Sequence, residues 1–135
     1  RPPRSTLFPY TTLFRSYQTL LTEADLKRIE ECRTPVSDFI GKSSRYVMEF
    51  LSESQEIMGC ALNDPLALAA MFQPELLSCQ HLVIDVDADA GVSMGKTFAD
   101  FYNYDAKPEN GFAALDVQAR LFVEKFIERM MKISQ

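Results

Sequence analysis

From Thr22 the apolar positions recur with the spacing of a helix. Leu26, Ile29 and Cys32 share one face, Thr22 stands where a cap belongs, and Glu23 and Asp25 suit the positive end of the helix dipole. Thr34-Pro35 reads as a second cap followed by proline at the first helical position. The longer helix it opens carries Val36, Phe39, Ile40, Val47, Phe50 and Leu51 at helical spacing, weakened only slightly by Gly41. Ser52–Ala61 is a polar loop around Gly59, the kind of segment that more often carries function than core. Asp64-Pro65 starts a short apolar helix from Leu66 to Phe72, with Asp64 placed to cap it, and Pro74 ends it.

After Pro74 the period changes to two. His81–Asp87 and Met94–Phe101 read as strands joined by a turn at Asp89-Ala90-Gly91, and Phe112–Val117 as another strand beyond a loop containing Asn103, Pro108, Asn110 and Gly111. Ala119–Ile133 is an amphipathic helix with Phe122, Phe126, Ile127 and Met130 on one side. The pattern is that of a mixed α/β chain with more helix than strand and no internal repeat.

The opening segment breaks this pattern. Residues 1–16, RPPRSTLFPYTTLFRS, match the in-frame translation of a short-read sequencing adapter from Arg1 through Ser16. A native basic arm or transit peptide is the alternative, but the segment has no initiator Met and no amphipathic period. Residues 1–16 are therefore expected to be an artefact, and native sequence to begin at Tyr17 with whatever lies upstream cut away.

Setting aside Arg1, Arg4 and Arg15 moves the net charge from −5 to −8. So acidic a chain is unsuited to nucleic acid or an anionic membrane surface, both of which need clustered Lys and Arg. No apolar run approaches the roughly 20 residues of a membrane span. Cys32, Cys60 and Cys79 are odd in number, widely spaced and without a C-x-x-C pair, which points to reduced thiols and a cytoplasmic setting.

Two apparent motifs fail on their chemistry. Gly91-Val92-Ser93-Met94-Gly95-Lys96-Thr97 has three residues between its glycines where a phosphate-binding P-loop needs four, and a strand follows it where a helix should. A hairpin relieved by glycine is the better reading. Asp85, Asp87 and Asp89 alternate like calcium-loop ligands, yet Ala90 stands where that loop needs glycine and Lys96 where it needs glutamate. Alternation in a strand marks a solvated face. His81 is far in sequence from any nucleophile and reads as structural or surface, and none of the cysteines has a neighbouring base to activate it. That leaves Asn63-Asp64 at the mouth of an apolar helix. The Asp64 carboxylate can cap the helix, which is the commoner use of Asp-Pro, or turn outward to a cation or to sugar hydroxyls.

Leu62-Asn63-Asp64-Pro65-Leu66-Ala67-Leu68-Ala69, followed by Gln73-Pro74-Glu75-Leu76, resembles the late His-Asp-Pro-x-Ala-x-Ala and Asp-Pro-Glu motif of the inosine/uridine-preferring nucleoside hydrolase family. Val83-Ile84-Asp85-Val86, Gly91, Gly95-Lys96-Thr97 and Ala99-Asp100 are similar to a family hairpin of the form V-D-V-x-x-x-G-x-x-x-G-x-T-x-x-D. Gln18-Thr19-Leu20-Leu21-Thr22 looks like the end of a family strand-to-helix turn. The likeness is spread in order over residues 17–135.

The resemblance implies an α/β fold, with residues 17–135 the C-terminal portion of a parallel-sheet nucleoside hydrolase domain that is helix-rich, with an added β-hairpin and a C-terminal amphipathic helix. It implies hydrolysis of the N-glycosidic bond of purine and/or pyrimidine ribonucleosides to ribose and free base, a salvage reaction using water bound to one Ca²⁺. It also implies a homodimeric or homotetrameric parent. Asp64 falls on a calcium-ligating aspartate near the ribose, so Asp64 is the expected metal and substrate ligand. The signature D-T-D-P-G-x-D-D, which holds the other calcium aspartates and the general base, is absent, as are the mid-chain asparagine and glutamate that grip the sugar. No catalytic residue is therefore expected within the chain, and the isolated fragment should be inactive, with exposed apolar helix faces prone to association. Asn63 departs from the family histidine that helps protonate the leaving base, since an amide cannot donate a proton as imidazolium can. Asn63 remains a candidate substrate contact, and a non-catalytic nucleoside-hydrolase-like binding or interaction module is the competing reading.

Overall fold

The computed structural model describes residues 17–55, 57–103 and 106–133. Residues 1–16, and with them the adapter reading, lie outside the described residues.

Thr22 ends a two-residue strand, β1 (Leu20–Leu21), and caps α1 (Glu23–Glu30). The cap is reciprocal: the Asp25 N–H donates to the Thr22 hydroxyl oxygen at 3.3 Å, and the Asp25 carboxylate accepts from the Thr22 N–H at 3.0 Å and its hydroxyl at 2.7 Å. Leu26 and Ile29 are fully buried, and Cys32 sits half-buried beyond the helix end. The chain reverses through Arg33, held in the left-handed region at φ 53°.

Thr34 caps α2 (Pro35–Gln55) in the same way, exchanging bonds with Ser37 at 3.0 and 3.2 Å. Proline at the first position starts the helix where its sequence predicts. The helix runs into the segment expected to be loop, because Ser52–Gln55 continue its turns. Its inward side is small: Ser37 and Gly41 are buried. A side chain at 41 would run into the Glu30 carboxylate, so glycine lets that carboxylate cross α2 and bind Arg45 at 2.6 and 2.8 Å. Among the described residues of this helix, Ile40 and Met48 are the hydrophobic side chains that pack against the core, while Phe39 and Phe50 face outward.

A second short strand, β2 (Cys60–Ala61), pairs antiparallel with β1 and leads into α3 (Asn63–Phe72). A 3₁₀ turn at Pro74–Leu76 follows, then β3 (Leu77–Val86), β4 (Thr97–Asp100) and β5 (Gly111–Val117). These form an antiparallel sheet in the order β4-β3-β5. β3 starts four residues earlier than its alternation suggests, because its polar first part pairs with β5 and a bulge at Ser78/Cys79 breaks the period. β4 is shorter than Met94–Phe101, since Met94 and Gly95 belong to the turn. Gly95 takes φ +84°, and the Asp87 carboxylate gathers the Ser93 hydroxyl and the Asp89 N–H. Asp87 thus organises the hairpin, a more specific role than a solvated face. Asn110 extends the ladder by side chain, accepting from Ile84 N–H at 2.7 Å and donating to its carbonyl at 2.9 Å.

The last helix, α4 (Ala119–Ile133), buries Phe122, Val123 and Ile127 against Leu26, Ile29, Leu66 and Leu76 in one core. An ionic seam at its edge aligns it with α1. Arg28 makes two bonds to Glu124, at 2.8 and 3.1 Å, and Arg120 reaches both Glu124 and the buried Asp25. Burial would raise the Asp25 carboxyl, but the Thr22 bonds and then Arg120 outweigh it and hold the group below the ordinary aspartate value. Its stabilisation is therefore complete above about pH 4 and is lost as pH falls through the lowered native value. Asp25→Asn is expected to cost about 1–3 kcal/mol at pH 7. Urea midpoints of the two proteins should converge below about pH 4. A gap that does not change with pH would show that the charge is not what matters.

Candidate functional site

The β1–β2 ladder sets the site. Leu20 pairs with Ala61 and Leu21 with Cys60, and the Leu62 N–H donates to the Thr19 carbonyl at 3.2 Å. That bond brings the start of α3 alongside the entry to β1. Leu62 and Leu66 point into the core and anchor the first turn, leaving Asp64 exposed and Asn63 half-buried beside it.

Asp64 does not cap α3. The helix begins at Asn63, its N-cap is Leu62, and no side chain makes the cap bond. Asp64 stands at the second helical position, and its carboxylate accepts no bond from the free N–H groups of that first turn. Asp64 is exposed and makes no hydrogen bond or ion pair among the described residues. Of the two uses open to it in sequence, the outward one is what the geometry provides. Beside it, Asn63 Oδ1 is buried with no hydrogen-bond partner among the described residues. An orphaned acceptor of this kind costs about 1–3 kcal/mol until a donor reaches it.

Asp64 also stands at the rim of a groove of about 370 Å³ between α3 and α4. Leu68, Phe72, Phe122 and Phe126 wall it, and Lys125 and Arg129 share the rim with Asp64. Among the described residues Asp64 is the only carboxylate lining this groove.

The other titratable candidates are engaged elsewhere. His81 Nδ1 lies 2.8 Å from Glu109 Oε2 and its ring stacks on Phe112 at 4.6 Å, on the β3–β5 face. Burial pushes the Cys60 thiol up, against a smaller opposing effect of a bond with Ser44, and burial alone pushes up Cys79. Both thiols are protonated at neutral pH and poor nucleophiles. The Ser93 hydroxyl and then the Asp89 N–H hold Asp87 below the usual carboxylate range.

Calcium takes six to eight oxygen ligands. Among the described residues no group of three or more His, Cys, Asp or Glu side chains could hold a metal ion. Asp64 and the Asn63 amide oxygen are two donors and do not make a calcium site by themselves. Among the described residues no helix is long and apolar enough to cross a membrane.

The architecture is that of nucleoside hydrolases. A purine-preferring ribonucleoside hydrolase from Gardnerella vaginalis superimposes with a TM-score of 0.74 at 25% identity, over 87% of this chain and 37% of that one. A plant nucleoside hydrolase shares the fold with a TM-score of 0.77 at 19% identity, over 88% and 39%. In sequence, the pyrimidine-specific ribonucleoside hydrolase RihA of Salmonella gallinarum is 23% identical over 116 residues, 85% of this chain and 37% of that protein. Its counterpart in an Enterobacter species is 23% identical over 120 residues. The pattern of the inosine-uridine preferring nucleoside hydrolase family matches residues 2–124, and the chain belongs to that family. It spans a little over a third of the length of the curated relatives it matches.

Because Asp64 is not a cap, Asp64→Ala should change stability by less than about 1 kcal/mol, the most its place near the helix dipole can supply. Leu66→Ala, two residues on and fully buried, should cost about 2–5 kcal/mol. Chemical denaturation of both variants checks the contrast. An Asp64→Ala loss as large as that of Leu66→Ala would mean that the carboxylate is structural.

Proposed function

We propose that this chain acts as part of a ribonucleoside hydrolase, adding water across the N-glycosidic bond of purine and/or pyrimidine nucleosides. The ribose anomeric carbon takes the hydroxyl and the departing base takes the proton. The observation that carries the reading is the pair at the mouth of α3: a carboxylate with no structural task, Asp64, beside an orphaned buried acceptor, Asn63 Oδ1. Membership of the nucleoside hydrolase family supports placing substrate there.

Asp64 would supply one oxygen ligand toward a calcium ion near the ribose, and Asn63 Oδ1, enclosed in this chain, would have to be uncovered before it could accept from a hydroxyl or a base N–H of the nucleoside. Such a bond satisfies an atom that is otherwise unpaired, so it discriminates against ligands lacking the donor. Asn63 cannot protonate the leaving base. The remaining calcium oxygens, the general base and the leaving-group acid belong to the part of the family domain that this chain does not span. The three free cysteines are in keeping with a reducing, cytoplasmic setting.

A second reading, a non-catalytic binding module on the same fold, is favoured by Asn63 standing where a proton donor would be useful. Base release from inosine and uridine by the whole protein separates the two. Turnover supports hydrolysis, and nucleoside binding without turnover supports the module.

In the whole protein Asp64→Ala should weaken calcium binding, read by titration calorimetry, and lower kcat/KM by about 100-fold or more, in line with loss of a positioning group. Unchanged calcium affinity would show that Asp64 is not a ligand. The 135-residue chain alone is expected to release no base from either nucleoside, and measurable release would overturn the assignment of the other catalytic groups outside it.

A further inference from the structure

Gly111, opposite Leu82, is the last residue of β5 to pair with β3. Where that ladder stops, the side chain of Asn110 stands in for a strand residue. Its Oδ1 accepts from the Ile84 N–H at 2.7 Å and its Nδ2 donates to the Ile84 carbonyl at 2.9 Å. Its own N–H donates to the Leu82 carbonyl at 3.1 Å. The residue held in this way precedes a glycine, and an Asn-Gly pair carries a chemistry of its own. Glycine has no side chain to shield its backbone nitrogen and leaves the chain free to turn, so that nitrogen can attack the amide carbon before it. We propose that Asn110-Gly111 is a self-modification site: a deamidating pair that the Ile84 clamp holds unreactive, that local opening of the sheet end releases, and that cannot re-form the clamp once it has reacted.

The reaction needs only the chain and water. The Gly111 backbone nitrogen gives its proton to solvent base and forms a bond to Asn110 Cγ. The Cγ–Nδ2 bond breaks, and Nδ2 takes up a proton and leaves as ammonia. Water then opens the resulting cyclic imide at one carbonyl or the other. One opening gives aspartate, and the other gives isoaspartate, in which the backbone runs through the former side chain.

In the closed sheet this attack is blocked. Both polar atoms of the Asn110 amide are turned to Ile84, and Gly111 is buried beneath the Ile84 side chain, whose Cδ1 would lie 2.9 Å from a Cβ added there. One residue earlier, Glu109 is tied to His81 of β3 at 2.8 Å. Cyclisation therefore requires the end of the ladder to open, a local event that does not need the core to unfold. Asn110 is exposed, so water and base reach it as soon as it swings away. After reaction a carboxylate at 110 has no N–H to give the Ile84 carbonyl and sets a charged oxygen against it. Isoaspartate also lengthens the backbone by a methylene and shifts Gly111 out of register with Leu82.

Peptide mapping by mass spectrometry tests this on the full chain, incubated at mildly alkaline pH with and without denaturing urea. Asn63 and Asn103, followed by Asp64 and Tyr104, lack the glycine and serve as internal references. In urea Asn110 should convert to aspartate and isoaspartate ahead of both. Without urea its conversion should be slower by about tenfold or more, the protection that two side-chain bonds confer. At urea concentrations that leave the fold intact, the rate should rise in step with hydrogen exchange of the Ile84 N–H, whose acceptor is Asn110. In Asn110→Asp that exchange should be faster by about tenfold. Equal conversion of Asn110 with and without urea would overturn the proposal, as would conversion in urea no faster than at Asn63 and Asn103. So would a rate that does not follow Ile84 exchange, or an Asn110→Asp chain in which that exchange is unchanged.

Discussion

The antiparallel pairing of Leu20–Leu21 with Cys60–Ala61 joins segments about forty residues apart in sequence, and both α1 and α3, the helix that carries the candidate site, start from it. β1 hands the chain to α1 through Thr22, and β2 hands it to α3 through Leu62. So short a ladder has little hydrogen-bond energy of its own. It holds because Leu21, Cys60 and Leu62 are buried in the same core as Leu26, Leu66 and Ile127, where unpaired backbone groups would be costly. The position of Asn63 and Asp64 is a consequence of that packing.

Polar groups around this core divide by whether they are satisfied. Asp25, buried, collects bonds from Thr22 and Arg120, and its ionic neighbours Arg28 and Glu124 hold α4 along α1. Asp87, Asn110 and Ser37 likewise spend their side chains on turns, ladders and caps. Asp64 and Asn63 do neither. What sets this pair apart is the combination of an exposed carboxylate with a buried amide oxygen that has no hydrogen-bond partner among the described residues.

α2 shows a second kind of unspent chemistry. Its core side is built from Ser37, Gly41, Ile40 and Met48, while its larger apolar side chains face away. Hydrophobic periodicity in the sequence shows that this helix is amphipathic, and it points to the wider, aromatic stripe as the buried face. The opposite side is buried because α1 approaches closely enough for Glu30 to lie across Gly41, and aromatic side chains could not be fitted into that crossing.

Local signals sufficed for much of the architecture. The Thr22 and Thr34 caps, the proline at the start of α2, the hairpin around Gly95 and the bounds of α4 were all legible, because each depends on residues within one turn or one ladder step. The motif around Asp64 likewise pointed to the right family. Neither two-residue strand is long enough to show a period: Leu20–Leu21 was legible only through the family's strand-to-helix turn, Cys60–Ala61 read as loop, and the first part of β3 was hidden by its polar residues and its bulge. Whether Asp64 caps α3 was open in sequence, because the same Asp-Pro pair suits either use. Tertiary structure decided it: the bond from Leu62 to Thr19 and the burial of Leu62 start the helix before Asp64, and so leave that carboxylate free.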